Sequence, residues 1–431
     1  MIRPLLIAAL LGLIGGSAAA GPLTVEGTLG WEFRIYPGDA PGRSAESTLG
    51  GEVTLRGRQG PFRWQVAPRL WVDPADADRF RWMPREAWAE TRLGSFRFRA
   101  GRDVLTWGSG DARKPTDILG AADPGWDFLE PQKRGEWMAS VTASTERAGL
   151  EVVLLPVLDG ITFPGPRSAW SLQAAARRVG ASGDQVRLLE DRLTPGNMSE
   201  ASVGARLRWS VATTDMHLVG LYGLDRTPVL WPDTDCPDLA GCLPTRADVS
   251  DLYPPLRLGG VEIQAAPAGF VFRVEAAYRD QHTTDSTFAA RTEGLADISR
   301  QLVIGTERVW SGFLGPGDLR AGVELLLDDA SAASSNIFVF RPFQRDLAVS
   351  LAWSLNDFSG TRIEAGWIQD LERPEGVATF RVHRRLTPKL VVAAGADVLY
   401  GPTPRSLPEL ANPFYLFSAN DRAILELRYG F

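Results

Sequence analysis

Lysine is almost missing from this chain of 431 residues: Lys114, Lys133 and Lys389 are the only three, so 43 of its 46 basic residues are arginine. Its 52 acidic residues leave a formal net charge of −6. General nucleic-acid binding needs a clustered positive face, so nucleic acid is not an expected partner. Histidine is nearly as scarce, with only His217, His282 and His383. There is no Walker loop, no Gly-x-Ser-x-Gly elbow and no zinc-helix signature. The one local run of catalytic residue types, His282-Thr283-Thr284-Asp285-Ser286, is too compact in sequence to suggest a triad, which is defined by roles in space. The chain therefore reads as a non-enzyme with no catalytic residue, no cofactor and no metal. Its two cysteines, Cys236 and Cys242, are too few for a disulfide scaffold. In an exported chain they would form one local disulfide, with metal ligation the second reading, weakened by the lack of a nearby histidine.

Long apolar runs are also absent beyond the first twenty residues. There, Arg3 precedes an apolar stretch from Leu5 to Ile14, then Gly15-Gly16-Ser17 and the small-residue site Ala18-Ala19-Ala20. An apolar core near ten residues is too short for a membrane-spanning helix, which needs about 20, and the flanks are those of a cleaved secretory signal over residues 1-20. Position 21 is glycine rather than cysteine, so no lipid anchor is indicated.

What the remainder does contain is alternation. A chain with 44% hydrophobic residues and 14 tryptophans is not disordered, and its apolar side chains recur with period 2, the signature of strands with two unlike faces. Leu23, Val25, Leu29, Trp31, Phe33 and Ile35 alternate with Thr24, Glu26, Thr28, Glu32 and Arg34, and Phe96 and Phe98 alternate with Arg97 and Arg99. Eighteen such segments can be counted, near 23-35, 46-58, 61-72, 80-93, 95-105, 133-144, 147-157, 199-212, 215-225, 255-266, 269-280, 300-311, 317-328, 344-355, 360-370, 376-386, 389-400 and 419-431. Sixteen strands are also compatible with the pattern. Many are longer than a soluble strand and suit a tilted membrane-spanning one. Short connections such as Gly94-Ser95 and Thr387-Pro388 alternate with long ones at 106-132, 158-198, 226-254, 281-299 and 401-418. This is the rhythm of a closed transmembrane antiparallel up-and-down barrel with tight turns at one rim and loops at the other. Segments 80-93, 255-266 and 300-311 break the pattern, with charges or glycines on both parities, and Gly259-Gly260 suggests a bulge. Within the long connections, 168-180 and 184-193 have helical character.

The last segment alternates Ala423, Leu425, Leu427, Tyr429 and Phe431 with Arg422, Glu426 and Arg428. Here the sequence resembles Gram-negative outer-membrane β-barrel proteins, porin-like or alginate-export-like. The segment Gly101-Arg102-Asp103 is similar to a strand end of several such families. The resemblance covers nearly all of residues 21-431. It implies an outer-membrane barrel embedded in lipid, with Tyr429 and Phe431 as a C-terminal signal for the barrel-insertion machinery; monomer and trimer remain equally open. It also implies that the connection 106-132, the third on the long-loop side and the one that follows the fifth strand, folds inward as a constriction, with Asp111, Arg113, Lys114, Asp117, Asp123 and Asp127 as its charged residues. An ordinary solvated external loop is the competing reading.

A barrel of this size leaves an aqueous lumen unless loops fill it. Parity directs Arg34, Arg56, Arg63, Arg69, Arg97, Arg99, Arg206, Arg208, Arg273 and Arg279 inward, interleaved with Glu26, Glu32, Glu52, Glu275 and Glu324. As pore lining these suggest passive diffusion or export of small hydrophilic solutes, anionic ones included, because guanidinium forks onto carboxylate and phosphate. As cross-strand pairs they merely stiffen the wall. A barrel plugged by its loops, serving as a surface-binding or structural protein, is the alternative function, with an outer-membrane hydrolase behind it.

Overall fold

The computed structural model describes residues 22–38, 43–125, 127–178, 186–234, 247–292, 298–329, 338–339, 344–401 and 417–431. The predicted signal segment and the pair Cys236 and Cys242 lie outside the described residues. Eighteen strands follow one another around a single sheet. They are β1 Thr24–Ile35, β2 Ala45–Gln59, β3 Phe62–Asp73, β4 Asp76–Leu93, β5 Phe96–Asp103, β6 Glu136–Ser144, β7 Ala148–Leu155, β8 Ser202–Val211 and β9 Thr214–Leu224. The second half comprises β10 Pro255–Ala265, β11 Phe270–Asp280, β12 Ile298–Trp310, β13 Asp318–Asp328, β14 Arg345–Ser354, β15 Arg362–Asp370, β16 Gly376–Thr387, β17 Leu390–Tyr400 and β18 Arg422–Gly430. Each is antiparallel to its sequence neighbour, and β1 pairs with β18 from Thr28↔Gly430 to Ile35↔Ala423, which closes the cylinder. Closure leaves no open edge, so every strand can satisfy its main-chain groups in hydrocarbon.

The outer face explains why alternation was so legible. Leu29, Leu49, Leu93 and Val211 are 55%, 52%, 64% and 59% exposed, part of a continuous outward apolar band of the kind that faces lipid. Exposed aromatics form two belts: Phe62, Phe96, Phe272, Trp310 and Phe431 toward the short-turn rim, and Phe80, Trp82, Tyr222 and Tyr278 toward the other. Such girdles mark the two membrane interfaces. At the short-turn rim Gly60 and Gly94 take φ of +57° and +60°, the left-handed conformation that tight hairpin turns require and glycine adopts without strain. The C-terminal Phe431 exchanges backbone hydrogen bonds with Gly27, 3.0 Å in each direction, and its ring lies over that glycine where no Cβ would fit. Tyr429, opposite Leu29 and Leu390, is on the same lipid-facing side of the closing seam.

Three expectations need correction. Residues 186–193 are not helical: Val186–Leu193 is a strand lying parallel to Ala247–Leu252 in a small four-stranded sheet built from the long connections, with 229–234 and 338–339. Pairing of Arg187 with Asp248 (2.8 Å) helps fix it, a tertiary contact overriding local helical spacing. The other segment forms a helix only over Leu172–Arg178. Gly259-Gly260 makes no bulge, since β10 keeps register with both neighbours throughout. The irregularities lie instead between β3 and β4, at Ala67/Pro68 and Trp71/Asp73, where Pro68 stands opposite Pro84; two prolines remove two ladder donors there. That shift accounts for the mixed parity of β4, which also starts at Asp76, four residues ahead of its expected position, after a tight Asp73–Asp76 turn at the loop rim.

Candidate functional site

One stretch of the inner wall breaks the wet-inside rule. On the inward parity of β6 to β11, Met138, Val153, Leu155, Val219, Leu221, Leu256, Leu258 and Ala277 are apolar and buried. What covers them is the connection between β5 and β6, whose Trp107, Ile118 and Leu119 join the same cluster. Two wall glycines make the contact possible. A Cβ at Gly204 would come within 2.9 Å of the Trp107 ring and one at Gly260 within 2.7 Å of Thr116. The connection therefore runs inside the barrel.

Electrostatics hold it there. Glu262 and Glu275 face each other directly across β10 and β11, a like-charge pair that would be unfavourable alone. The loop supplies the donors. Glu275 accepts the amides of Ser109 (2.9 Å), Gly110 (3.3 Å) and Thr116 (2.7 Å), Glu262 accepts that of Gly108 (3.1 Å), and the Thr116 hydroxyl lies 2.8 Å from both carboxylates. Arg206 (3.1 Å) and His217 (2.9 Å) complete the shell of Glu262. One strand pair further on, Glu324 accepts the amides of Asp111 (2.7 Å) and Ala112 (2.8 Å). These carboxylates thus act as anchors for main-chain N–H groups, the geometry of an anion nest.

The charged residues expected in this loop are distributed as follows. Asp111 reaches the inner-wall Arg320 at 2.5 Å and Arg273 at 3.6 Å, and Arg113 reaches Asp328 at 2.9 Å. Lys114 accepts the Asp117 amide through its carbonyl at 3.0 Å. Asp117 takes the Trp107 amide at 3.0 Å and pairs with Lys133, whose ammonium burial pushes below its ordinary pKa despite that partner. Asp123 accepts from the Thr162 hydroxyl at 2.9 Å. Asp127 meets the far wall, with Arg422 on β18 at 2.6 Å and Arg34 on β1 at 2.9 Å. Burial alone would raise its pKa, but the two guanidiniums hold it well below the usual carboxylate range. Glu130 reaches Arg381 on β16 at 2.8 Å. The loop accordingly spans the lumen from the β10–β13 wall to the β16–β1 wall.

A second connection, after β7, packs against the first. Trp170 stacks on Phe128 (ring centroids 5.9 Å apart) and packs with Phe417, and its indole N–H donates to the Tyr36 hydroxyl at 3.0 Å.

Charged side chains remain around two cavities. A cavity of ≈ 720 Å³ near the short-turn rim is lined by Arg92, Arg97, Arg206 and Arg208 against Glu151 and Asp215, with His217. Another of ≈ 520 Å³, against β1 to β3 and β18, has Glu26, Glu32, Glu52 and Glu426 with the loop's own Asp127 and Glu130, against Arg34, Arg69, Arg85 and Arg428. Many inward arginines are also paired across strands: Arg56 with Glu26 at 2.9 Å, Arg69 with Glu52 at 2.5 Å, Arg99 with Glu90 at 2.7 Å, Arg273 with Glu307 at 3.1 Å, and Arg63 with Glu90 and Arg279 with Asp225 more closely still. Lining and stiffening are therefore carried by the same side chains. Asp285 of the local histidine run caps the helix Ser286–Arg291 by accepting the Thr287 (3.0 Å) and Phe288 (3.1 Å) amides.

Sequence parity missed the anchoring function of Glu262, Glu275 and Glu324, the inward apolar patch, and Gly204. A signal for them existed in 255-266, where Leu256 and Leu258 share a parity with Gly260 and Glu262.

No protein-family model matches the chain, and no curated protein is significantly similar to it. Solved structures do match in shape. Pseudomonas aeruginosa OccK3 (OpdO) superposes with a TM-score of 0.52 at 8% identity, covering 95% of each chain. OccK5 (OpdH) of the same organism gives 0.51 at 10% identity over 95% of this chain and 97% of that one. OccK11 (OpdR) gives 0.50 at 12% identity over 95% of each.

The chain has the fold of a porin-type closed barrel.

At such identities the likeness concerns the fold alone, a cylinder whose aromatic girdles bound a lipid-facing band and whose long connections gather at one rim.

Proposed function

We propose that this barrel is a channel for the passive passage of small hydrophilic solutes, anionic ones favoured. The observation that carries the proposal is the loop after β5, laid across the lumen on main-chain hydrogen bonds to wall carboxylates while charged cavities stay open around it. A narrowing built this way fixes the cross-section without filling it. The cavity near the short-turn rim is biased toward arginine, and that against β1 to β3 and β18 toward carboxylate, so a solute passing between them meets a transverse field. Arg92 and Arg208 face the first cavity with exposed side chains, positioned to receive a carboxylate or phosphate. The reading entails no catalytic step. Tyr429 and Phe431, at the seam, would be the elements read during insertion.

The test is reconstitution in planar bilayers under a salt gradient. Discrete conductance steps with a reversal potential of anion-selective sign support the reading, and Arg92→Ala with Arg208→Ala should move that potential toward cation preference. A correctly folded barrel that never conducts would support a second reading, favoured by the packing of Trp170 on Phe128 and Phe417: a plugged barrel that binds ligands at the external surface.

A further inference from the structure

The inner wall carries a bare, flat stretch beside β1. Gly30 on β1 and Gly50 on β2 stand opposite each other on the inward parity, and the same row continues to Trp71 on β3 and to Arg428 on β18. A Cβ at Gly50 would stand inside the Trp71 indole, whereas one at Gly30 would meet only the Leu427 carbonyl, at 3.7 Å. The indole therefore lies over Gly50 and, with Gly30, gives the ≈ 520 Å³ cavity a flat apolar floor. Polar side chains rim it. Thr28, Glu52 and Arg69 stand toward the short-turn rim, Glu32 toward the other, and Glu130 and Gln132 come from the constricting loop. Arg69 is 5.7 Å from the indole centroid and is held by Glu52 at 2.5 Å and Gln132 at 2.6 Å. The neighbouring inward indole, Trp88 on β4, has the Arg99 guanidinium 4.1 Å from its ring centroid and donates its N–H to Glu86 at 3.2 Å, so it offers no comparable surface.

The charges of this rim cancel in pairs once partners beyond the lining are counted. Glu52 meets Arg69 at 2.5 Å and Arg85 at 3.3 Å, Glu32 meets Arg34 at 2.7 Å, Glu130 meets Arg381 at 2.8 Å, and Glu426 meets Arg428. Glu26 has Arg56, and Asp127 has Arg34 and Arg422. A free anion or cation would have to displace one of these partners. A hydroxyl need not: a paired carboxylate keeps lone pairs and a paired guanidinium keeps N–H donors, and the Glu130 and Arg428 side chains are 55% and 58% accessible. We propose that this stretch of the lumen is a subsite for a neutral pyranose, one unit of an oligosaccharide passing through the barrel. A pyranose has an apolar face of C–H groups and a girdle of hydroxyls. The weakly positive C–H face lies on the negative face of the Trp71 indole, and the hydroxyls reach Glu52, Arg69, Glu130 and Gln132, planar groups that each offer two hydrogen-bonding atoms. A flat aromatic solute would use the indole but leave those donors and acceptors unmatched, at the cost of their desolvation. The assignment rests on the channel reading for the sugar's route and adds a solute class to it.

Saturation-transfer NMR of the full barrel in a sugar-free detergent, with cellotetraose, with maltotetraose and with trigalacturonate as the charged comparison, tests the subsite whether or not the barrel conducts. Transfer to the ring protons of a neutral tetrasaccharide is expected, with its dissociation constant raised about tenfold or more by Trp71→Ala, less by Trp71→Phe, and unchanged by Trp88→Phe. Gly30→Leu, which fills the floor while keeping the indole, should weaken binding as much as Trp71→Ala, and heat-modifiable migration shows each variant closed. No transfer to either neutral sugar, tighter binding of trigalacturonate, or affinities untouched by Trp71→Ala and Gly30→Leu would each overturn the assignment. Sugar binding by a barrel that never conducts would uphold the subsite and overturn the channel; conductance without sugar binding would do the reverse.

Discussion

Glu275 has no arginine against it among its hydrogen bonds, only the amides and hydroxyl of the loop. Hydrogen bonds to a charged group contribute about 1.5–3 kcal/mol each, so Glu275→Ala should release this part of the loop while the barrel itself stays closed. The expected outcome is faster proteolytic cleavage between residues 108 and 116 with unchanged heat-modifiable migration. Asp127 works by pairing. Removing its charge in Asp127→Asn takes one acid from each of the buried Arg34 and Arg422, which keep Glu32 at 2.7 Å and Asp397 at 2.5 Å, so the loss should stay below the about 3–5 kcal/mol of a fully orphaned buried charge and be measurable as a lower unfolding midpoint. Because the folded pKa of Asp127 is depressed, its contribution is complete above the ordinary carboxylate value near ~3.9 and is lost only as pH falls through the lower folded value. Denaturant midpoints measured from pH 5 to 8 should therefore show no titration from this contact.

The loop is held as an element by shape as much as by charge. Gly260→Val places methyl groups where Thr116 sits, and the predicted result is a displaced loop and enlarged conductance, since β10 is held in unbroken register by both neighbours. This is also where sequence reading had its reach and its limit. Most of the eighteen strands were visible because lipid on one side and water on the other impose period 2, so that Leu29 or Phe98 can point only one way, whereas 80-93, 255-266 and 300-311 carry charges or glycines on both parities. The inward position of the loop came from resemblance, since Asp111 and Asp127 have the same composition as any solvated loop. Its anchors were illegible because Glu275 and Thr116 are far apart in sequence, and an inward glutamate reads the same whether it faces water or an amide. Val186–Leu193 was misread for a related reason: its partner strand, Ala247–Leu252, lies in a different connection.

At the scale of the molecule, the cylinder solves the membrane problem and the loops define what the cylinder can do. Eighteen strands enclose a space wide enough that the β5–β6 loop and its neighbour after β7 can cross it and still leave cavities lined by charge. The central claim is that the first of these loops is a tethered constriction in a conducting pore. Single-channel conductance of the native barrel beside Glu262→Gln/Glu275→Gln/Glu324→Gln tests it most directly. The account predicts steady, resolvable steps in the native protein and larger, noisier ones in the variant. Identical currents from both, or silence from both with the barrels intact, would contradict it.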